Sequence, residues 1–293
     1  MRKIAFAKVV ASGNDFIVIE SNTISSVVPA LPARLAAEPR AGRHRPSSIV
    51  KALCDRKFGV GADGLLLLEK SKIADIRMRI LNADGSEAEM CGNGARCIAL
   101  YYIRGQGTGC RGQLKIETKA GIIEGKVSGN SIKIKLTDPK DYQPGVPIKI
   151  QERELRIHSI NTGVPHAVIF VEGIEEIDVS SIGREIRYYE RFAPAGTNVD
   201  FVEVISNDTI KVRTYERGVE DETLACGTGA VASAIVYGYQ LSAFSSQQEK
   251  IKINVVTQGG ETLKVYFKKE DNDVKDVWLE GKAKIVYKGE IVI

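Results

Sequence analysis

The chain has 293 residues, 43% hydrophobic and 27% charged, which suits two domains of ordinary size with a core in each. Its 41 basic and 37 acidic residues leave a net charge of +4, too slight to mark a nucleic-acid binder, and the run RAGRHR reads as a solvated loop. No stretch approaches the roughly 18 apolar residues of a membrane span.

Cysteine usage excludes more. The five cysteines (Cys54, Cys91, Cys97, Cys110, Cys226) and three histidines (His44, His158, His166) show no CxxC or other zinc spacing. An odd count in a chain of this length also argues against a secreted disulfide framework. The reading is a cytoplasmic protein with reduced thiols and no metal.

In chain order, the opening MRKIAFAKVVASGNDF imitates a signal peptide, but Lys8 interrupts the apolar run and Asn14 and Asp15 follow without a cleavage region, so it reads as a strand. DFIVIE (15–20) is a strand. Residues 25–48, with four prolines and little periodicity, read as a mobile surface insertion without a chemical role. A surface helix is predicted over 49–57, then strands over 64–69, 75–81, 113–118, 121–127 and 131–136. The turn-rich TDPKDYQPGVP places a domain boundary near 137. ELRIHSI, HAVIFV, VDFVEVI, TIKVRTY, KIKINVV and ETLKVYF follow as strands, with a surface helix over 180–190. Clean alternation, as in SIKIKL, puts one strand face on a core and the other in water.

GARCIALYYI (94–103) and TGAVASAIVYGY (228–239) differ, being apolar nearly all round. A helix without a polar face is a buried one. Each half therefore wraps mostly antiparallel sheet around one central helix, an α+β fold of two pseudo-symmetric domains: 1–137, 138–280, and a last strand, 281–293, returning to the first. SGNDFIVI echoes TGVPHAVIF, and RILNADGSEAEMCGNGA echoes RTYERGVEDETLACGTGA with one residue inserted. Two matches in the same order indicate a duplicated unit.

Both central helices begin just after a cysteine and a Gly-x-Gly turn, EMCGNG and ACGTG. Uncovered N–H groups at such a helix start, with the helix dipole behind them, make an anion site. The same field predicts a lowered thiol pKa at Cys91 and Cys226. Two such thiols suit proton removal and return at an α-carbon: donors on the adjacent carboxylate stabilise the carbanion, one thiolate takes the proton and one thiol returns it to the opposite face. Cys54, Cys97 and Cys110 read as buried hydrophobes. A redox pair remains an alternative for Cys91 and Cys226, as does a non-catalytic amino-acid-binding protein. Neither CGNGA nor CGTGA carries the lysine of a P-loop.

NADGSEAEMCGNGARC, YERGVEDETLACGTGA and GNDF together resemble the diaminopimelate epimerases over most of the chain. The resemblance implies interconversion of LL- and meso-diaminopimelate, in lysine biosynthesis, without pyridoxal phosphate or any other cofactor, by a homodimer. It implies that Cys91 and Cys226 are the acid/base pair and that Gly92, Asn93, Gly227 and Thr228 cradle the α-carboxylate. Asn14, Asn82, Asn198, Glu216 and Arg217 would bind substrate, with the Arg217 fork on the distal carboxylate. His166 and Glu216 are candidates for assisting proton exchange, although His166 reads equally well as a satisfied structural histidine. The chain departs from the family pattern at Val164, where many members have asparagine, and at Gly64, where some have glutamine; Asn161 is a candidate to replace the first. A proline or hydroxyproline epimerase of the same superfamily is the alternative, against which stands Arg217, since a cyclic imino acid offers it no distal group.

Overall fold

A computed structural model describes residues 3–21, 46–107, 111–151, 153–241, 249–270 and 273–292. They form two compact units, Met1–Ile134 with Lys282–Ile293, and Lys135–Gly281. Cys110 and residues 25–45 of the predicted insertion lie outside the described residues.

In the first unit the strands are β1 (Lys3–Ala11), β2 (Asn14–Glu20), β3 (Gly64–Glu69), β4 (Ile76–Asn82), β5 (Glu87–Ala88), β6 (Arg111–Thr118), β7 (Gly121–Ser128), β8 (Ser131–Lys135) and, from the chain end, β18 (Lys284–Val292). β1 lies antiparallel between β18 and β2. β2 runs parallel to β3, β3 antiparallel to β4, β4 parallel to β6, and β6, β7 and β8 continue antiparallel. A parallel pair needs a crossover, and a helix supplies each one. Helix α1 (Pro46–Cys54) links β2 to β3, and α2 (Gly92–Gly105) links β4 to β6.

The two helices explain why GLLLLE is apolar at consecutive positions. Leu65 and Leu67 pack with Val50 and Leu53 of α1, whereas Leu66 reaches Gly94 of α2. A strand covered on both faces has no polar side to show. Helix α2 is buried from Asn93 to Leu100 and touches β1, β2, β3, β4, β6, β7 and β18, so the sheet curls round it.

The second unit repeats this order. Its strands are β9 (Lys140–Ile150), β10 (Arg153–Asn161), β11 (Pro165–Phe170), β12 (Asn198–Ser206), β13 (Thr209–Glu216), β14 (Asp221–Thr223), β15 (Glu249–Thr257), β16 (Thr262–Glu270) and β17 (Asp273–Lys282). β11·β12 and β13·β15 are parallel, and their crossovers carry α3 (Val179–Arg187) and α4 (Gly227–Leu241). The echo between the halves extends to side chains. Arg79 of β4 forks onto Glu87 of β5 at 2.7 and 3.3 Å, and Arg213 of β13 forks onto Glu222 of β14 at 2.7 Å twice.

Three readings are corrected. The first helix spans 46–54 rather than 49–57, so residues 46–48 belong to it and not to the insertion. It stops there because the Asp55 carboxylate takes the N–H groups of Lys57 and Phe58, both at 2.7 Å, and turns the chain. The turn-rich 140–150 is strand β9, whose register shifts along β10 hide its alternation. β17 escaped for a similar reason: Asp276, at φ 57°, sits at a bulge opposite Tyr266–Lys268.

The glycine in the last turn of α4 is set by close packing. A Cβ at Gly238 would lie 2.5 Å from the Phe267 ring, which is itself buried on β16. Alanine in a helix interior is ordinarily favoured over glycine by about 1 kcal/mol. Here the clash outweighs that gain, and Gly238→Ala is expected to destabilise the protein by about 1–3 kcal/mol. Urea unfolding measures it; a more stable variant would mean that α4 and β16 are not in such close contact.

Candidate active site

In the first unit Cys91 is the N-cap of α2, with extended backbone (φ −144°, ψ 121°) and its Sγ accepting the Gly94 N–H at 3.4 Å. Serine, threonine, aspartate or asparagine normally fills this position, because a side-chain acceptor must satisfy a first-turn N–H. In the second unit Cys226 does the same for α4: its Sγ takes the Gly229 N–H and lies 3.5 Å from Thr228 Oγ1. The helices then start alike, with Ala95 N–H on Cys91 C=O at 2.8 Å and Ala230 N–H on Cys226 C=O at 2.9 Å.

Beside Cys91 a chain of carboxamides runs in one direction. Arg96, fully buried, donates to Asn93 Oδ1 and, at 2.8 Å, to Ser12 Oγ. Asn93 Nδ2 donates to Asn14 Oδ1 at 2.7 Å, and Asn14 Nδ2 donates to Asp63 Oδ2 at 3.0 Å. A guanidinium can only donate and a carboxylate only accept, so the two ends fix both amides. The hydrogens left on the two Nδ2 atoms are donors, which suits an anionic ligand. Asn82 stands apart from this chain; it is exposed and bonds Ser86 Oγ at 2.9 Å within its own turn.

Asp63 is anchored in turn. Arg56 reaches it at 2.7 Å and Asp15 at 2.9 Å, and Lys8, only 7% exposed, lies 2.8 Å from Asp15. Burial alone would raise the Asp15 carboxyl, but the Arg56 and Lys8 bonds outweigh it and hold it far below the ordinary carboxylate range. A Cβ at Gly64 would meet Leu81 C=O at 2.8 Å, so glycine there lets β3 and β4 pair without a shift.

In the second unit, sheet register assembles the site. His166 is the partner of Asn198 across the parallel β11·β12 pair, and Asp200 is the partner of Thr214 across β12·β13. With a two-residue period, His166, Asn198, Asp200, Thr214 and Glu216 share one face. The opposite face carries Ala167, Val199, Phe201 and Tyr215 into the core under α3. Asp200 and His166 are both wholly buried, with Nδ1 2.7 Å from Oδ2, and Thr214 Oγ1 donates to Asp200 Oδ1 at 2.8 Å. Asn198 Oδ1 accepts the Arg217 N–H at 2.7 Å, and Arg217 Nη1 reaches Ala195 C=O at 3.4 Å. In the turn before β11, Asn161 Oδ1 takes the Gly163 N–H at 3.0 Å and Thr162 N–H meets Val164 C=O.

The expectation of a lowered pKa fails at Cys226. Burial pushes its thiol well above the ordinary range, and the negative charges of Glu216 and Asp200 push the same way, against the Thr228 and Gly229 bonds. The sulfur caps a helix, but it does so in a dry site. Glu216 also titrates high, raised by burial against its Thr223 bond, whose length is 3.1 Å. Cys54 is raised by burial to about 11, and Cys97 is wholly buried. Among the described residues no group of three or more His, Cys, Asp or Glu side chains could hold a metal ion.

Asp15, Asp63, Lys8, Arg56, Arg96, Asp200 and Thr214 went unread in the sequence. One signal for Asp200 was there: NVDFVEVI puts polar residues at 198 and 200, alternate positions in the buried first half of the strand, between the apolar Val199, Phe201 and Val202.

Two halves that each curl a sheet round a buried helix make up a fold shared with a hydroxyproline epimerase from Agrobacterium vitis, solved with trans-4-hydroxy-L-proline bound. The two superpose with a TM-score of 0.69 over 99% of this chain and 91% of that one, at 14% identity, which shows the fold alone. The family model described as diaminopimelate epimerase matches residues 6–140 and 158–286. Diaminopimelate epimerases from Aquifex aeolicus (40% identical, covering 98% of this chain and 97% of the relative) and Archaeoglobus fulgidus (42%, covering 88% of each) are among its relatives. The protein is thus an isomerase of the epimerase class. It belongs to the diaminopimelate epimerase family.

The Lys8–Asp15 contact generates a test. Asp15→Asn leaves the Lys8 ammonium buried without its counter-charge, and is expected to cost about 3–5 kcal/mol of stability. Because the folded carboxyl is depressed, its contribution is present above its ordinary 3.8 and is lost as pH falls below it. The variant should therefore flatten the acid limb of the stability–pH curve measured by urea unfolding; an unchanged limb would refute the pairing.

Proposed function

We propose that the protein interconverts LL- and meso-2,6-diaminopimelate by two-base proton exchange at one α-carbon, with Cys91 and Cys226 as the acid/base groups and no cofactor. Family membership supports the substrate. The observation that carries the mechanism is the sulfur at the N-cap of each buried helix, the place where first-turn N–H donors can also receive a carboxylate.

In this reading the α-carboxylate lies on the first-turn N–H groups about Gly92 and Asn93 and about Gly227 and Thr228, and spreads the charge of the carbanion. One thiolate accepts the α-proton while the other thiol gives its own to the opposite face. Each turnover leaves the pair with exchanged protonation. Cys226, pushed up by burial, starts as the thiol and donor, and Glu216, raised and within electrostatic reach of that sulfur, receives or returns its proton. The distal carboxylate goes to Arg217, with Asn14 and Asn198 beside the substrate. The enzyme works in the cytoplasm as a homodimer, in lysine biosynthesis.

Incubation with LL-diaminopimelate in deuterium oxide, followed by chiral separation, tests the reaction: meso product carrying α-deuterium is expected. Cys91→Ala and Cys226→Ala should each abolish turnover while the far-ultraviolet spectrum stays native. Near wild-type turnover by either variant would remove the two-base assignment.

Glu216→Gln separates catalysis from stability. Losing a general acid/base partner should lower kcat by about a hundredfold. The native carboxyl titrates above its ordinary 4.5, so the unfolded chain releases that proton first. Stability present below 4.5 is therefore lost as pH rises through the raised value. The variant lacks that loss, so its melting temperature should fall less than the parent's between pH 4.5 and 8.

A further inference from the structure

The carboxamide of Asn198 has one orientation fixed by a backbone donor. The Arg217 N–H can only donate, and it lies 2.7 Å from Oδ1. Nδ2 therefore points the other way, to Pro165 C=O at 3.3 Å and to His166 Nε2 at 3.4 Å. Two N–H groups cannot face each other across that gap, so Nε2 must be the bare, accepting nitrogen of the ring. The proton then sits on Nδ1, 2.7 Å from Asp200 Oδ2. We infer that Asp200 is a positioning residue: it holds His166 as the Nδ1–H tautomer, and so holds Asn198 in the orientation that pins the turn bearing Arg217.

Asp200 is closely held in that place. It is wholly buried, it receives the Thr214 hydroxyl at 2.8 Å, and it lies against the first turn of α4. A Cβ at Gly229 would come within 2.3 Å of its Oδ1, so the helix carries glycine where the carboxylate enters. The alternative tautomer would turn Nε2–H onto Asn198, rotate the amide and leave the Arg217 N–H facing another N–H. A buried donor stranded in that way loses about a hydrogen bond's worth of free energy, roughly a tenfold effect on anything the turn binds. This is the logic by which a buried aspartate orients the histidine of a serine-protease triad, with the relay ending on an amide instead of a nucleophile.

The kinetic consequence rests on the reading above, in which Asn198 and Arg217 hold diaminopimelate; the ring tautomer does not depend on it. The chain has only three histidines, so nitrogen-15 spectra of the ring nitrogens at pH 7 can be assigned by comparison with His166→Asn. A neutral ring protonated on Nδ1 is expected for His166 in the parent protein. A ring protonated on Nε2, or on both nitrogens, would overturn the inference without any variant at position 200. Asp200→Leu removes the acceptor at similar volume; the Nε2–H form should appear and KM for diaminopimelate should rise about tenfold, with a smaller change in kcat. In an Asn198→Ala background the same substitution should leave KM unchanged, since the amide that transmits the effect is gone. Additive effects of the two substitutions, or a raised KM with the Nδ1–H form retained, would show that Asp200 does not act through this relay.

Discussion

Everything in each half turns on satisfying the first turn of a helix that has no polar face. Such a helix is stable only inside a sheet, and its N-terminal N–H groups then have no neighbouring strand to pair them. A sulfur at the N-cap satisfies one of them, through Gly94 in the first unit and Gly229 in the second. The Gly-x-Gly turn keeps the remaining donors uncovered. The curl of the sheet, the two parallel crossovers and the glycines that let α4 sit against Asp200 and Phe267 all serve to bury the helix while leaving its mouth usable.

Much of this could be read from the residues. Unbroken apolar helices and alternating strands report burial directly, since each follows from which faces meet water. What stayed hidden was of two kinds. β9 and β17 carry bulges and positive-φ residues such as Asp141 and Asp276, and a bulge destroys the two-residue period by which a strand is recognised. The second kind is the polar scaffold behind the site. Arg96 and Asp63 are 33 residues apart and meet only through Asn93 and Asn14. No local pattern encodes that meeting.

The hidden scaffold has a common principle. A carboxamide beside a ligand is ambiguous, because its two ends are nearly the same size and opposite in polarity. In the first unit a guanidinium and a carboxylate close the two ends of the Arg96–Asn93–Asn14–Asp63 chain. In the second a backbone N–H closes one end of Asn198. Binding groups read from the motifs are thus oriented by partners far away in the chain: Asp63 closes the Asn14 end in the first unit, and strand register brings His166 and Asp200 to Asn198 in the second.

The duplicated halves differ in the group at the end of one strand. β4 ends in Asn82, a neutral amide, and β13 ends in Glu216, a half-buried acid whose carboxyl is raised by desolvation. A helix terminus favours a thiolate by about 0.3–2 kcal/mol, whereas full burial shifts a titrating group by up to about 3–5 pKa units, or roughly 4–7 kcal/mol. At Cys226 burial wins, and Glu216 and Asp200 add to it. Two-base exchange needs its partners in opposite protonation states, which identical surroundings would not favour. Divergence of the two halves around a repeated sulfur therefore gives the proposed reaction something that strict symmetry would deny it: a resting state in which Cys226 already carries its proton.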